Sequence, residues 1–528
     1  MAICLAPNVR SLPYVNSWFA HPFLISPLTF GLYTQHAHLP MLDSYLADPE
    51  QHRVAVSTPA LRGGPFIDFD GKSSCVAQFR EQTLDKCAQQ LKGAEAINKV
   101  FKTLQMQAKG AGLSAIYAEF DEMVRYFLEI SYDVSKQPSV RFFESLFYES
   151  SLFDQSMQSC VLERATEKPR SFVLTTPRIN LAEDSVEIRA PFDDPLWNRL
   201  YGGTPNATDI LDAVAPHLSD LSRDIPLLRS MLVPQAVSCP SGELPQRGVR
   251  VRYFGHACVL IQNMDTSILI DPMLSYPGET ALDHFTYADL PERIDYVLLT
   301  HGHQDHVVIE TLLRLRQRVD RVIVGRSGGG ELQDISLKLV LNHCGFERVT
   351  ELSEYESIEF PGGRILAAPF YGEHADLDIR AKLVYGVELD GRSSLFFSDS
   401  NPPAPEFYEP LRKMMPRIDC LFLGMECVGA PASWLYGPVL QKLLTRGEDQ
   451  SRRLDGCNSS AALGLWDYFR PDRIFVYAMG AEPWITHITN IVYSEELVQF
   501  KEARILEAAI RARGSHAEVL FCKLQLDL

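Results

Sequence analysis

The 528-residue chain predicts an α/β fold, with two β-sheets sandwiched between helices in its second half and an α+β domain before them. Three observations carry that prediction. Short β-like runs follow one another after residue 248, helical periodicity marks the first half, and a stretch without apolar periodicity separates the two. A chain this long exceeds what one hydrophobic core supports, so division is expected on size alone.

The separating stretch, residues 233–248, reads VPQAVSCPSGELPQRG, and its prolines, glycines and small polar residues break any period. It divides an N-terminal α+β domain, residues 1–240, from a catalytic domain, residues 241–528. Within the first, residues 83–133 read as helical, with Leu91, Ala94, Ile97, Val100, Phe101 and Leu104 on one side and a second helical segment over 115–130. Shorter β-like runs follow at 171–175 and 185–188. His21, His36, His38 and His52 are spaced irregularly among prolines and read as surface or capping histidines. This half is expected to serve dimerisation, docking or substrate channelling, with a homodimer as the assembly. In the second half, β-like runs begin at Val249, Cys258, Ser267, Tyr296, Arg321, Ile365, Lys382, Ser394, Cys420 and Ile474, with helices between several of them.

A net charge of −17 argues against a nucleic-acid partner, which needs Lys and Arg on phosphates. Eleven cysteines without a C-x-x-C pair do not form a disulfide framework or a zinc-cysteine module. Neither a signal-peptide pattern at the N-terminus nor an apolar run of membrane-spanning length occurs, so a soluble cytoplasmic protein without a membrane partner is expected.

The chemistry concentrates in His301-Gly302-His303-Gln304-Asp305-His306, four metal-ligand side chains in six residues directly after the apolar run 296–300. Alternate residues of extended chain share a face, so His301 and His303 suit one ion. Asp305 and His306, read as the first turn of a helix carrying Leu312, Leu313 and Leu315, suit a second. Asp271 ends an apolar strand before Pro272 and can hold the metal-binding loop by accepting backbone or imidazole N–H bonds, a role outside the ligand set. Asp399, after Leu395-Phe396-Phe397-Ser398, repeats the pattern, and its two oxygens can bridge two cations. In Gly372-Glu373-His374 adjacent side chains diverge, so one of Glu373 and His374 is expected to ligate and the other to support. His256 reads as a supporting residue, Cys258 and Cys427 as packed thiols, and Trp434 and Tyr436 as a packed aromatic pair with a substrate tunnel as the alternative.

A strand-end aspartate, H-x-H-x-D-H, a ligand loop some seventy residues on and a second strand-end aspartate together resemble the metallo-β-lactamase superfamily, over roughly residues 250–479. The resemblance implies an αβ/βα sandwich with a two-metal site at one edge. The superfamily's late histidine is missing, because Ile474-Phe475-Val476-Tyr477-Ala478 runs into Met479-Gly480, and Glu426 or His487 is expected to complete the second site. Over nearly the whole chain, Gly372-Glu373-His374 and Met425-Glu426-Cys427-Val428-Gly429-Ala430-Pro431 resemble the di-iron β-hydroxylases of the chloramphenicol-biosynthesis type. That likeness implies two iron ions held by His301, His303, Asp305, His306, Glu373 and Asp399, with Glu373 in the place of a histidine and Glu373 and Asp399 serving catalysis. It further implies antibiotic biosynthesis: O₂ and an external electron donor hydroxylate the β-carbon of an amino acid held as a thioester on a nonribosomal peptide synthetase carrier domain. Three carboxylates among six ligands favour iron. The alternative is a two-zinc hydrolase acting on a thioester, lactone or phosphodiester. No G-x-G-x-x-G opens a helix, so no organic cofactor is expected, and Arg446, Arg452 and Arg453 are the candidate basic patch for an acidic carrier.

Overall fold

A computed structural model describes residues 2–234 and 247–528; the break read at 233–248 falls mostly outside them, in 235–246. The second half forms two seven-stranded sheets. The first runs in the order Val349–Leu352, Val319–Gly325, Ile294–Leu298, Ser267–Ile270, Cys258–Gln262, Arg250–Gly255 and Leu524–Asp527. The second runs Ser357–Phe360, Gly363–Pro369, Leu383–Leu389, Arg392–Phe396, Cys420–Gly424, Arg473–Tyr477 and His516–Val519. Each is antiparallel on one side and parallel on the other, the parallel pairs being those joined through longer connections.

Alternation along the strands divides the apolar side chains between two faces. Val251, Tyr253, Ile268, Ile270 and Leu298 of the first sheet meet Ile365, Ala367, Tyr385, Phe396, Phe422 and Phe475 of the second in a buried layer. The opposite face of the second sheet, with Leu366, Leu395, Leu421 and Leu423, packs on the helices Ser459–Phe469 and Val498–Arg511. All ten predicted strands are present. The four further strands, VTEL, SIEF, HAEV and LQLD, are the four sheet edges. An edge strand is short and half wetted, so it lacks the apolar run by which the central strands are recognised.

The first half contains a four-stranded sheet of Val9–Val15, Trp18–Phe19, Gln158–Arg164 and Val186–Ile188 with helices around it. The helical reading of 83–133 holds for Ser73–Lys86 and Ala88–Gln107 only. Residues 115–130 are instead a 3-10 turn, Ser114–Glu119, a short helix, Glu122–Arg125, and a strand beginning at Leu128. The continuous helix is interrupted because Phe120 is extended and the Asp121 carboxylate caps a new start by accepting from Met123 N–H. Residues 171–175 form no strand, whereas Val186–Ile188 does.

This half covers the outer face of the first sheet. Leu5, Trp18, Phe192 and Trp197 share one apolar cluster with Leu269, Leu312, Val322 and Leu341 from the second half. Arg314 donates to the carbonyls of Val9 and Ala6, Arg316 to those of Phe192 and Cys344, and Arg170 pairs with Glu310 at 2.9 Å. Glu144 also ties the halves together, accepting from the Ser26 hydroxyl at 3.1 Å and from Ser336 N–H at 2.9 Å. Burial raises its carboxyl to about 7, against those two bonds. Its folded-state value lies above that of the unfolded chain, so its protonated form favours the fold below about 4.5 and that contribution is lost as pH rises toward 7. Glu144→Gln, whose amide can serve both serines, should therefore flatten the decline in thermal stability between those pH values, by up to roughly 3 kcal/mol at the upper end. Melting curves across that range check it, and an unchanged slope excludes Glu144 as the source.

Candidate metal centre

One edge of the sandwich collects the ends of five strands and the turn between two more. Asp271 follows Ser267–Ile270, Thr300 follows Ile294–Leu298, Glu373 follows Gly363–Pro369, Asp399 follows Arg392–Phe396, and Ala478 follows Arg473–Tyr477. His256 lies in the turn joining Arg250–Gly255 to Cys258–Gln262. The backbone is forced here: His256, Asp271, Glu373, Ser398 and Ala478 all have φ between 38° and 63°, a region that costs a side-chain-bearing residue energy and collects at functional sites. Glycine is needed where strands converge most closely, since a Cβ on Gly424 would lie 2.5 Å from Asp399 Oδ1.

Asp271 is wholly buried and accepts three bonds, from Thr300 N–H at 2.8 Å, the Thr300 hydroxyl at 2.6 Å and His306 Nδ1 at 2.9 Å. With its own proton committed to Asp271, the Thr300 hydroxyl oxygen accepts from His301 Nδ1 at 3.0 Å. Both imidazoles are thereby assigned the tautomer with a bare Nε2, and both Nε2 atoms are buried without a hydrogen-bond partner. Tyr436 does the same for His303, its hydroxyl lying 3.0 Å from Nε2 and leaving Nδ1, 3.1 Å from Glu373 Oε1, to face the site.

The donor atoms form three overlapping groups, each spanning no more than 4.8 Å: His301, His303, Glu373 and His374; His256, Asp305 and His306; and His301, His306 and Asp399. Asp399 joins the other two, with Oδ2 3.1 Å from His306 Nε2 and 3.8 Å from His301 Nε2. Five histidines and three carboxylates so close together compensate one another. In His306, burial is outweighed by Asp305, Asp399 and Asp271, which raise it well above the usual imidazole range. In Glu373, burial is outweighed by His303 and His374, which hold its carboxyl well below the usual range. Burial lowers His374 to about 4. Uncapped buried nitrogen and oxygen atoms are costly unless a cation takes them up, so this donor set fits metal ions.

Several sequence expectations change. His301, His303, Asp305 and His306 all lie in a loop, because a turn closed by Val307 N–H to His303 C=O delays the helix to Ile309–Leu315. His256 enters a ligand group rather than supporting from outside: neither ring nitrogen has a hydrogen-bond partner, and Nε2 is 3.4 Å from Asp305 Oδ2. Glu426 and His487 belong to no such group. The Glu426 carboxylate is engaged by Gly429 N–H and the Gln499 side chain, and His487 sits edge-on to Phe19, outside the donor cluster. His374 lies as close to the first group as Glu373 does, 2.8 Å from its Oε2. Tyr436, read as packing, contacts a candidate ligand through its hydroxyl, an interaction no sequence spacing reveals.

A cavity of 1320 Å³ opens onto His256, His303, Asp305, Glu373 and Asp399 and is walled on the far side by the first half, including His21, Tyr33, His36, His38 and Phe66. His21, His38 and His52 are buried, contrary to the surface reading, and His52 is engaged by Ile67 N–H and Ser44. Trp434 lines the mouth and is anchored through Nε1 to Gly63 C=O.

Residues 4–232 match the model of the diiron non-heme β-hydroxylase N-terminal domain, and residues 266–432 that of the β-lactamase superfamily domain. The chain is 32% identical over its full length, and that of the relative, to the 4-amino-L-phenylalanyl-[CmlP-peptidyl-carrier-protein] 3-hydroxylase of Streptomyces venezuelae. This chain belongs to the diiron β-hydroxylase family. The crystal structure of the diiron β-hydroxylase CmlA from Streptomyces venezuelae covers all of both chains with a TM-score of 0.94 at 33% identity. The family's N-terminal domain thus corresponds to the half that walls the cavity. By contrast, a metal-dependent hydrolase of Flavobacterium johnsoniae is 28% identical over only 27% of this chain.

Asp271→Asn should preserve the fold and weaken metal retention by roughly 10–100-fold, because His306 and the Thr300–His301 pair lose their fixed orientation. Metal content after dialysis, beside a melting curve, checks this, and undiminished retention would remove Asp271 from that role.

Proposed function

We propose that this diiron β-hydroxylase acts on the β-carbon of an amino acid carried as a thioester on a nonribosomal peptide synthetase carrier domain, using O₂ and electrons from an external donor. The observation that carries the reading is the buried donor set, in which Glu373 lies against His303 where a further imidazole would suit zinc. His301, His303 and Glu373 would hold one iron and Asp305 and His306 with His256 the other, with Asp399, which shares a donor group with His301 and His306, available to both. His374 remains beside Glu373 as a neutral imidazole able to support its carboxylate or replace it. Bound iron supplies O₂ activation.

The chain's own residues shape the rest. Asp271 and Tyr436 fix imidazole orientation, and the cavity walls bound the space in front of the donor groups where the aminoacyl group would lie. Its volume suits an aminoacyl group together with the arm that tethers it. Arg452 and Arg453 are engaged structurally, Arg452 holding Ala375 C=O of the Glu373 loop and Arg453 holding Val428 and Gly429 carbonyls, so they brace the mouth more than they present a free basic patch. The same proposal takes in an electron-transfer partner, a homodimer, a cytoplasmic location and a place in antibiotic biosynthesis; no helix among the described residues is long and apolar enough to cross a membrane. It also takes the division at residue 240 as the boundary between the wall-forming and the metal-binding domains.

Iron-loaded, reduced protein mixed with O₂ and an aminoacyl-loaded carrier domain should return the carrier with one oxygen atom added to the amino acid, read by mass spectrometry. Exclusive zinc binding with release of the acyl group and no added oxygen would establish the hydrolase instead. Glu373→His should reduce hydroxylation by at least the roughly 10–100-fold that loss of even a supporting contact costs. Unchanged hydroxylation excludes Glu373 from the ligand set.

A further inference from the structure

The wall of the cavity opposite the metal ligands carries polar groups that the reaction does not use. His21 and His38 both line it, and both are more than nine-tenths buried. Among the described residues neither imidazole has a hydrogen-bond partner, and Nδ1 of each is sealed from solvent, so Nε2 is the atom each ring offers to the cavity. Buried polar side chains are normally partnered, so two unpartnered imidazoles on one cavity wall call for an explanation.

Local structure holds them there. Thr34–His38 is a single π-helical turn between the helices Pro27–Tyr33 and Leu39–Ala47, closed by Leu39 N–H to Thr34 C=O. Pro40 accounts for the wider turn, since it has no N–H for the carbonyl of His36 and its ring would collide with that carbonyl in an α-helix. Such insertions re-aim side chains and collect at functional sites. Here His36, Ala37 and His38 all reach the cavity. The His38 ring is clamped flat on Trp18, centroids 3.9 Å apart, and His21 packs edge-on to Tyr33 at 5.5 Å. Tyr33 cannot serve as their donor, because its hydroxyl is given to Leu435 C=O at 2.7 Å.

The rest of the lining sets the direction in which a ligand lies. Leu61, Val428, Trp434 and Val498 are exposed and mark the mouth, while the metal-ligand wall comes next. Behind the lining, the buried rings of Phe23 and Tyr436 link His21 to His303, each ring within 6.4 Å of the next. A thioester arm entering at the mouth, with its β-carbon at the metals, leaves the outer end of the amino-acid side chain for the buried wall. Tyr33, Met41, Phe66 and Leu174 give that region apolar side chains, and the Ser44 and Thr175 hydroxyls that also line it are engaged with His52 and Phe66 C=O.

We propose that His21 and His38 form the side-chain specificity pocket of this enzyme, selecting an aminoacyl group whose largely apolar side chain ends in a hydrogen-bond donor such as a hydroxyl or amino group. Burial keeps both imidazoles neutral, His21 being lowered to about 3 and His38 well below the usual range, so each retains a lone pair to accept such a donor. The inference rests on the carrier-tethered reading above, and its test is equilibrium binding, which does not require turnover.

Carrier domains loaded with tyrosine and with phenylalanine differ by one hydroxyl, and their dissociation constants for the iron-loaded protein can be compared by fluorescence anisotropy. The tyrosine-loaded carrier should bind tighter, on the order of tenfold, the worth of one good hydrogen bond. In the double variant His21→Phe, His38→Phe that ratio should fall to near one, while His21→Asn, His38→Gln, which restores hydrogen-bonding groups, should keep part of it. If the aromatic variant does not fold, the polar variant and the wild type alone decide, through the existence of the preference and its partial retention. No preference in the wild type, or an equal preference in all proteins, overturns the pocket. Binding preference without any hydroxylation would instead sink the proposed reaction and leave the pocket standing.

Discussion

The carboxylate of Asp271 holds three donors at once, and the rest of the centre is arranged around that fact. It fixes the end of one strand to Thr300 at the end of the next, and through Thr300 and His306 it decides which nitrogen of two imidazoles faces the cavity. A charged group buried this deeply is tolerated only when its lone pairs are filled. The loop 301–306 supplies the partners, so the same bonds that keep the carboxylate stable also order the residues that follow it. Remove that anchor and four side chains of a six-residue loop would have no shared frame.

Strain is concentrated at the same edge. Five non-glycine residues in left-handed backbone conformation, each at a strand end or in the adjoining turn, are held there by the sheets behind them. Those sheets are apolar on both faces, and the first half of the chain covers the one left open. Its burial of Leu312 and Val322, with the arginines that cross to backbone carbonyls, makes the covering part of the core. A rigid, doubly covered sandwich can hold unfavourable backbone torsions at its rim because the cost is spread over a large packed interior.

How much of this could be read from the sequence follows from the range of each interaction. The central strands, the H-x-H-x-D-H loop and the two strand-end aspartates were legible, because local spacing and apolar runs determine them, whereas spacing left Glu373 and His374 open and only the family resemblance chose Glu373. The edge strands were not, since VTEL or LQLD owes its pairing to a neighbour rather than to its own pattern. His256 and Tyr436 were given lesser roles for a related reason: one is brought in by a turn 45 residues before the main motif and the other by the short helix Ala432–Tyr436, 130 residues after it. Glu426 and His487 looked suitable by type and order, yet each has other neighbours, Gly429 and Gln499 for one and Phe19 for the other. His21 and His38 were misread because their burial comes from packing against Trp18, Phe23 and Tyr33 and from a π-turn that only Pro40 foreshadows.

All the candidate metal-binding side chains lie after residue 250, whereas the facing wall of the cavity is built from residues before 180. Reactivity and selectivity are thus written in separate stretches of one polypeptide. A substitution in the early stretch can therefore reshape the cavity without touching a single side chain placed to hold metal.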